Sequence, residues 1–327
     1  MASPFWVRQN VSVAGASTAA QAIGAARKRP RALSMRAREE IAGYLCIMPW
    51  LIGFLIFTAG AMLFSLGLVF FKTDLLTGFK WVGLGNIRKM ATDPLFHKSL
   101  GVTSYYSFAT VPLSLAIGLL IALGLNQNLF AQGLWRTLYY LPSVTSGIAV
   151  AMLWMWIFHP DVGLLNQALR LIGIQGPRWL YSEQWAIPAF IIMGTWGAGG
   201  NMLLYLAGLQ SIPTHLYEAA RIDGAGSIRC FFSITLPMLS PTIFFNLVMG
   251  IIGSFQVFTQ ALVMTQGGPN NATLTIMLYL YRKGFEQFQF GYASAIAWAL
   301  FCIILLLTLL VFRSSALWVY YEGEVRK

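Results

Sequence analysis

Tyr217–Pro241, YEAARIDGAGSIRCFFSITLPMLSP, is a polar stretch punctuated by glycine and proline, set between two long apolar runs. Pro213 ends the helix before it, and Thr214 is a fair N-cap for a short helix through about Asp223. Gly224 suits the left-handed position that closes a helix, and Gly226 keeps the exit flexible. Leu216, Ala219, Ala220 and Ile222 give apolar and small surfaces, while Glu218 and Arg221 present charge. Small residues permit close approach of another backbone, and an acid can pair with a partner arginine. Phe231 and Phe232 then return to the membrane interface, and Leu236-Pro237 opens the next apolar run. Such a helix reads as a mechanical lever between a soluble partner and a membrane bundle.

The rest of the chain supplies that bundle. Hydrophobic residues make up 57% of the 327 and charged ones 10%, with a mean hydropathy of +0.65. Soluble domains carry about 25% charged residues, so the composition is that of an integral membrane protein. Six runs reach the roughly 20 residues that a helix needs to cross a bilayer core: Ile41–Phe71, Leu100–Asn126, Thr137–Phe158, Trp185–Leu209, Met238–Thr265 and Tyr292–Phe312. They are continuously apolar, not alternating, which favours helices over a barrel. The expected class is therefore all-α, with six transmembrane helices over residues 41–327 and the lever in a loop spanning 211–237.

Charge sets an orientation. With the N-terminus inside, thirteen of the 22 Lys and Arg fall on the inner side, seven of them in the tail, and Arg27-Lys28-Arg29 with Arg31 lies close to the first span. Both termini and the Glu218 loop are then cytoplasmic. The net charge of +11 reads as topology and attraction to anionic lipid, not as nucleic-acid binding. Met1–Glu40 is basic and rich in Ala, Ser and Gln, with no acid before Glu39. It reads as a disordered cytoplasmic tail; a mitochondrial presequence is the alternative. Cys46, Cys230 and Cys302 lie in or beside spans and suggest neither a disulfide framework nor metal-ligand spacing.

Absent chemistry narrows the function further. No Asp, Glu, Lys or Arg falls well inside a span, and such groups mark proton relays and ion-coupled carriers. His97, His159 and His215 lie at loops or helix ends, where a solvated role is the usual one. No Gly-Lys dipeptide occurs, which rules out the phosphate loop of an ATPase, and there is neither HExxH nor GxSxG. A secondary carrier or channel would need intramembrane charge or an internal two-fold repeat. A membrane-embedded enzyme such as a lipid transferase would need clustered His or carboxylates. The chain reads as a conduit, not an enzyme, whose energy arrives from another subunit.

Glu218-Ala219-Ala220, Gly224, Ile234, Leu236 and Pro237 resemble the conserved cytoplasmic loop of permease subunits of binding-protein-dependent ABC importers. Further likeness runs through Trp81-Val82-Gly83-Leu84-Gly85-Asn86 and Gly163-Leu164-Leu165-Asn166 with Trp179-Leu180. It continues through Gly267-Gly268-Pro269 with Asn271-Ala272-Thr273, then Gly291-Tyr292-Ala293-Ser294-Ala295. The chain is similar to carbohydrate-uptake permeases related to those for maltose and glycerol-3-phosphate. That resemblance implies a type I ABC importer permease of a bacterial inner membrane. It also implies a second homologous permease, two ATPase subunits that hold the ATP and Mg, and an extracytoplasmic solute-binding protein. It assigns ATPase coupling to Glu218, Ala219, Ala220, Arg221, Asp223 and Gly224.

Sugars are held by hydroxyl-directed hydrogen bonds and an aromatic face. The fourth span offers Thr195, Trp196 and Asn201 beside Gly197, and the fifth offers Ser254, Phe255 and Gln256 after Gly250 and Gly253. Likeness to the maltose permease matches Gly194, Gly197, Ala198 and Asn201, and Gly250, Gly253, Ser254 and Val257, to sugar-contact positions. The substrate pathway is thus expected at Gly197, Asn201, Gly253, Ser254, Phe255 and Gln256, with helix packing through small residues as the competing role. Outside, Leu164, Leu165, Ala168, Leu169 and Ile172 form one helical face, and Asp161, Arg170 and the Gly176-Pro177 turn are candidates for the binding-protein platform. Lys72–Lys98 is a second external segment, and its five basic residues suit an acidic rim.

Overall fold

The structure, a computed structural model, describes residues 34–127 and 129–320. The expected disordered tail lies outside the described residues as far as position 33, and its last part is helical from Met35. The chain divides after Ala61 into two compact units. In the first, α1 (Met35–Gly53) continues as a π-helical stretch, Phe54–Gly60. Its large side chains, Tyr44, Trp50 and Phe57 among them, are exposed, as a lipid-facing helix requires.

α2 (Ala61–Leu68) leads into the second unit. There β1 (Phe71–Thr73) and β2 (Phe79–Trp81) form an antiparallel hairpin, with Phe71 opposite Trp81, Lys72 opposite Lys80 and Thr73 opposite Phe79. Strands of three residues are too short for sequence periodicity to reveal, so the hairpin is an addition to the expected helical class. After α3 (Gly85–Thr92), Asp93 caps α4 (Pro94–Leu125) by accepting from the Leu95 amide at 3.0 Å. α4 has 32 residues and so runs about 48 Å. α5 (Gln132–Val144), α6 (Gly147–Ile157), α7 (Leu164–Leu171), α8 (Ala186–Trp196) and α9 (Gly199–Ser211) follow. Next come α10 (Thr214–Ile222), α11 (Ser227–Cys230), α12 (Leu236–Phe255), α13 (Ile276–Tyr281) and α14 (Phe290–Trp318).

Among the described residues four helical runs are long and apolar enough to cross a membrane: Glu39–Leu68, Pro94–Leu125, Ser227–Phe255 and Phe290–Trp318. The third and fourth expected spans are bent pairs. α5 and α6 meet at 100° and α8 and α9 at 41°, so the count is six if each pair is one span. Thr145 and Ser146 adopt extended backbone between α5 and α6, a break that uninterrupted hydropathy conceals. The fifth span also moves. Its helix begins at Ser227, taking in Phe231 and Phe232, and stops at Phe255 instead of continuing to Thr265.

Each end of α4 organises one apolar cluster. Phe96 and Tyr106 near its N-terminus pack with Trp154, Phe158, Phe190, Phe255, Tyr279 and Tyr292. Ala122 and Leu125 at its C-terminus pack with Met202, Tyr205, Leu209, Ile212 and Leu239, and Leu216 and Tyr217 of α10 join that second cluster. α10 therefore lies at the opposite end of α4 from Tyr279 and Tyr292.

Candidate functional site

A cavity of about 360 Å³ opens between α4, α9 and the end of α12. α9 contributes Asn201 and α12 contributes Gly250, Gly253 and Ser254, with Gln256, Thr259 and Gln260 just beyond. Four of the expected pathway residues, Asn201, Gly253, Ser254 and Gln256, meet here. Gly197 and Phe255 are not among the lining residues. Gly197 follows α8 at the 41° bend. Phe255 is 2% exposed and meets Phe108 edge-on at 6.4 Å, beside a separate groove shared with Leu247 and Leu307. Successive helical residues turn by about 100°, so Ser254 and Phe255 cannot share a face.

Asn201 does two jobs. Its Nδ2 donates to Ser114 Oγ at 3.2 Å, bonding α9 to α4 inside the bundle, and its side chain also borders the cavity. Ser254 Oγ donates to its own helix at Ile251 O, 3.1 Å away. α4 supplies Tyr106, Thr110 and Ser114 to the same wall. Sequence reasoning missed these three, although Ser99, Thr103, Ser107, Thr110 and Ser114 recur every three or four residues and so mark one polar face. The cavity is a polar recess of hydroxyl and amide groups with aromatic neighbours, suited to hydrogen bonding with a neutral, hydroxyl-rich solute.

The lever helix forms as α10, one residue shorter than expected. Thr214 is its first helical residue and Pro213 its N-cap, with no side-chain cap bond. The Leu216 amide instead donates to the Pro213 carbonyl at 3.2 Å, a tightened first turn that takes up one of the otherwise unpaired groups. The C-terminus closes as a Schellman motif: Ala225 N donates to Ala220 O at 2.8 Å and Gly224 N to Arg221 O at 3.0 Å. Gly224 has φ +78°, a conformation that side chains with a Cβ resist. Glu218, Ala219, Arg221, Asp223 and Gly224 are exposed and Ala220 is half-buried. Ile222 is exposed as well, at 87%. Leu216 and Tyr217 face the bundle, and the Tyr217 hydroxyl bonds to Thr235 Oγ1 at 2.9 Å. All six expected coupling residues thus lie on one short, self-capped helix and its exit, fixed to the start of α12, whose far end borders the cavity.

The remaining motifs converge on the other end of the bundle as structural ties. Asn86 Nδ2 donates to Val69 O and Phe71 O at 2.8 and 2.9 Å. Asn166 donates to Pro160 O and Pro177 O and accepts from Trp179 Nε1 at 2.7 Å. Thr273 Oγ1 donates to Gly268 O at 2.8 Å. A Cβ on Gly291 would collide with the Phe71 carbonyl, so only glycine lets the start of α14 lie against β1. Asp93 accepts from the hydroxyls of Tyr279 and, at 2.6 Å, Tyr292. Burial pushes the Asp93 carboxyl up, but these two hydroxyls and the Leu95 and Phe96 amides outweigh it, and the net shift is downward. Of the expected platform, α7 buries Asn166 and leaves Leu171 exposed, while Arg170 is turned to the Pro160 and Asp161 carbonyls at 3.4 Å.

Residues 114–318 match the family of binding-protein-dependent transport system inner membrane components. The chain is 44% identical over 292 residues to the probable ABC transporter permease protein YesP of Bacillus subtilis, covering 88% of this chain and 94% of that protein. It is 35% identical over 293 residues to the lactose transport system permease protein LacF of Rhizobium radiobacter, covering 86% and 96%. With the arabinooligosaccharides transport system permease protein AraP of Halalkalibacterium halodurans it shares 32% over 309 residues, covering 92% and 94%. Its fold matches that in the crystal structure of a bacterial ABC transporter involved in the import of the acidic polysaccharide alginate. There the TM-score is 0.74 at 26% identity, over 85% of this chain and 96% of that one. An apolar helical bundle and likeness over 86–92% of the chain agree: the chain belongs to the binding-protein-dependent ABC transport inner membrane components, as a permease subunit.

Proposed function

We propose that this permease passes a sugar or oligosaccharide, delivered by an extracytoplasmic solute-binding protein, through a pathway that includes the cavity at Asn201, Gly253, Ser254 and Gln256. The carrying observation is the mechanical line from the exposed face of α10, through the Tyr217–Thr235 bond, along α12 to that cavity. Relatives named for lactose and arabinooligosaccharide transport support the solute class, as does a lining of hydroxyls and amides without a charged side chain.

A second homologous permease and two ATPase subunits complete the assembly in this reading, and the ATPases hold the ATP and Mg. Glu218 pairs with a basic residue of the ATPase, Ala219 and Ala220 allow close approach, Arg221 and Asp223 extend the polar contact, and Gly224 fixes the exit. ATP binding closes the ATPase pair and draws the two lever helices together, which opens the pathway outward, and hydrolysis resets it inward. The inward-open and outward-open conformations differ in affinity for ATP, as a ligand-driven switch requires. α10 and both termini are cytoplasmic in this arrangement, consistent with the basic residues nearest the first span. An ion-coupled carrier is the poorer reading because the spans lack interior charge.

Glu218→Lys in the assembled importer is expected to abolish ATP-dependent uptake while the chain stays in the membrane. Normal uptake by that variant would remove the coupling role. Asn201→Leu and Gln256→Leu should change the apparent affinity for solute, and unchanged kinetics in both would assign these residues to packing alone.

A further inference from the structure

We infer that the cavity between the β1–β2 hairpin, α3 and the start of α14 binds the phosphate of an anionic phospholipid. It encloses about 840 Å³, within the range of small-molecule sites. Lys72, Lys80 and Lys89 line it against a single carboxylate, Asp74. Lys72 and Lys80 stand directly opposite each other across the two strands. Like charges in that register repel and destabilise the pairing, all the more in a ladder of three residues. Lys89 enters from α3, its Nζ bonded to Gln289 Oε1 at 2.9 Å and 4.3 Å from the centre of the Tyr292 ring. Burial pulls the Lys89 ammonium below the ordinary lysine range and the charge of Lys283 adds to it, against a smaller opposing pull from Asp93.

Asp74 is engaged elsewhere. Its carboxylate accepts from the Leu76 amide at 3.0 Å and from the Thr77 amide and hydroxyl at 2.8 Å each. The Thr77 amide, more than the Thr77 hydroxyl and the Leu76 amide, lowers its pKa to about 2. Among the described residues the ion pairs within 4.0 Å are Arg36–Glu40 and Arg282–Glu286, neither of which involves this cavity. Three lysines lining one cavity, none in an ion pair with a carboxylate, suit an anion with several acceptor oxygens.

The rim selects an amphiphile over a soluble anion. Phe79 and Phe288 line the same cavity, with 55% and 52% of their surface exposed. Lysines beside exposed aromatic side chains at the end of a membrane helix match a phosphate on the cations with acyl chains along the rim. An acidic loop of a soluble protein would leave that rim in water. The leaflet follows from the proposed orientation, which makes it the outer one; the site itself does not depend on that reading.

The test is lipid retention by the purified full-length chain, followed by native mass spectrometry with dioleoylphosphatidylglycerol and dioleoylphosphatidylcholine. The native chain should retain the anionic phosphatidylglycerol preferentially, and Lys72→Gln, Lys80→Gln and Lys89→Gln should each weaken its retention about fivefold. Lys80→Arg should preserve it. The exposed single variants carry the test if a triple variant is not recovered. Equal retention of both lipids, or full retention by the Gln variants, overturns the inference. Displacement of the lipid by inorganic phosphate at equal concentration, with Phe79→Ser without effect, would make it a soluble-anion site and also overturn it. So would Gln variants that weaken capture of the solute-binding protein but not of lipid. Uptake is not the readout, so failure here leaves the proposed transport function standing.

Discussion

At the α10 end of the bundle the chain leaves a helix of nine residues almost bare: five of the six positions proposed for coupling are exposed, and the Tyr217 hydroxyl ties the helix to Thr235. At the far end of α4, Asn86, Asp93, Asn166, Thr273 and Gly291 knit hairpin, loops and helix starts together through buried or half-buried bonds and close contacts. Both regions carry strong sequence motifs, yet one set is left largely exposed and the other is used in internal bonds. The difference shows that a polar motif in a membrane protein signals function only when its polar atoms are not already used by the fold.

That contrast can be broken at either end. The largest effect should come from Gly291→Val, which drives a side chain into the Phe71 carbonyl. Overpacking of this kind costs about 1–3 kcal/mol or more, so the thermal midpoint of the purified chain should drop. An unchanged midpoint would mean that the hairpin is not fixed there. Asp93→Leu should rank next, at about 2 kcal/mol, because it strands the Tyr279 and Tyr292 hydroxyls and removes the cap of α4.

The same aspartate gives a pH signature. Its folded carboxyl is depressed below its ordinary value, so its stabilisation is fully present above about pH 4 and is lost as pH falls through the lower, folded value. Melting curves of the native chain should fall in that acidic window, and Asp93→Asn should flatten them. A native chain no more acid-sensitive than the variant would argue against the clamp.

Substitutions at the α10 end should separate stability from coupling. Gly224→Ala, at φ +78°, should strain the Schellman exit by about 1 kcal/mol and lower solute-stimulated ATP hydrolysis in the assembled importer with little change in melting. Tyr217→Phe is the mildest, removing one hydrogen bond worth about 1 kcal/mol. It should reduce the yield of transport per ATP without touching the Asp93 end, and a global loss of stability instead would mean that α10 is part of the core.

Much of the lever was legible because capping chemistry is local: Pro213, the small residues and Gly224 specify a short closed helix from their own sequence neighbourhood. The pathway was half legible. Asn201 and Ser254, expected as polar residues within the fourth and fifth spans, line one cavity, whereas the helical phase of Phe255 turns it to another groove. Thr110 and Ser114 were signalled by a periodic row of hydroxyls along α4, whereas Tyr106 lies outside that row and had no local signal. The 100° break at Thr145–Ser146 left no mark in hydropathy, which averages over direction.

By itself the sequence determined an apolar helical bundle and a capped lever, because burial in lipid and helix capping are set by each residue and its near neighbours. Only the tertiary structure decided which polar groups are consumed in ties, where the third and fourth spans bend, and that Lys72, Lys80 and Lys89 share one cavity. Those outcomes depend on contacts between residues far apart in the chain, and no local pattern encodes the partner that a side chain will find.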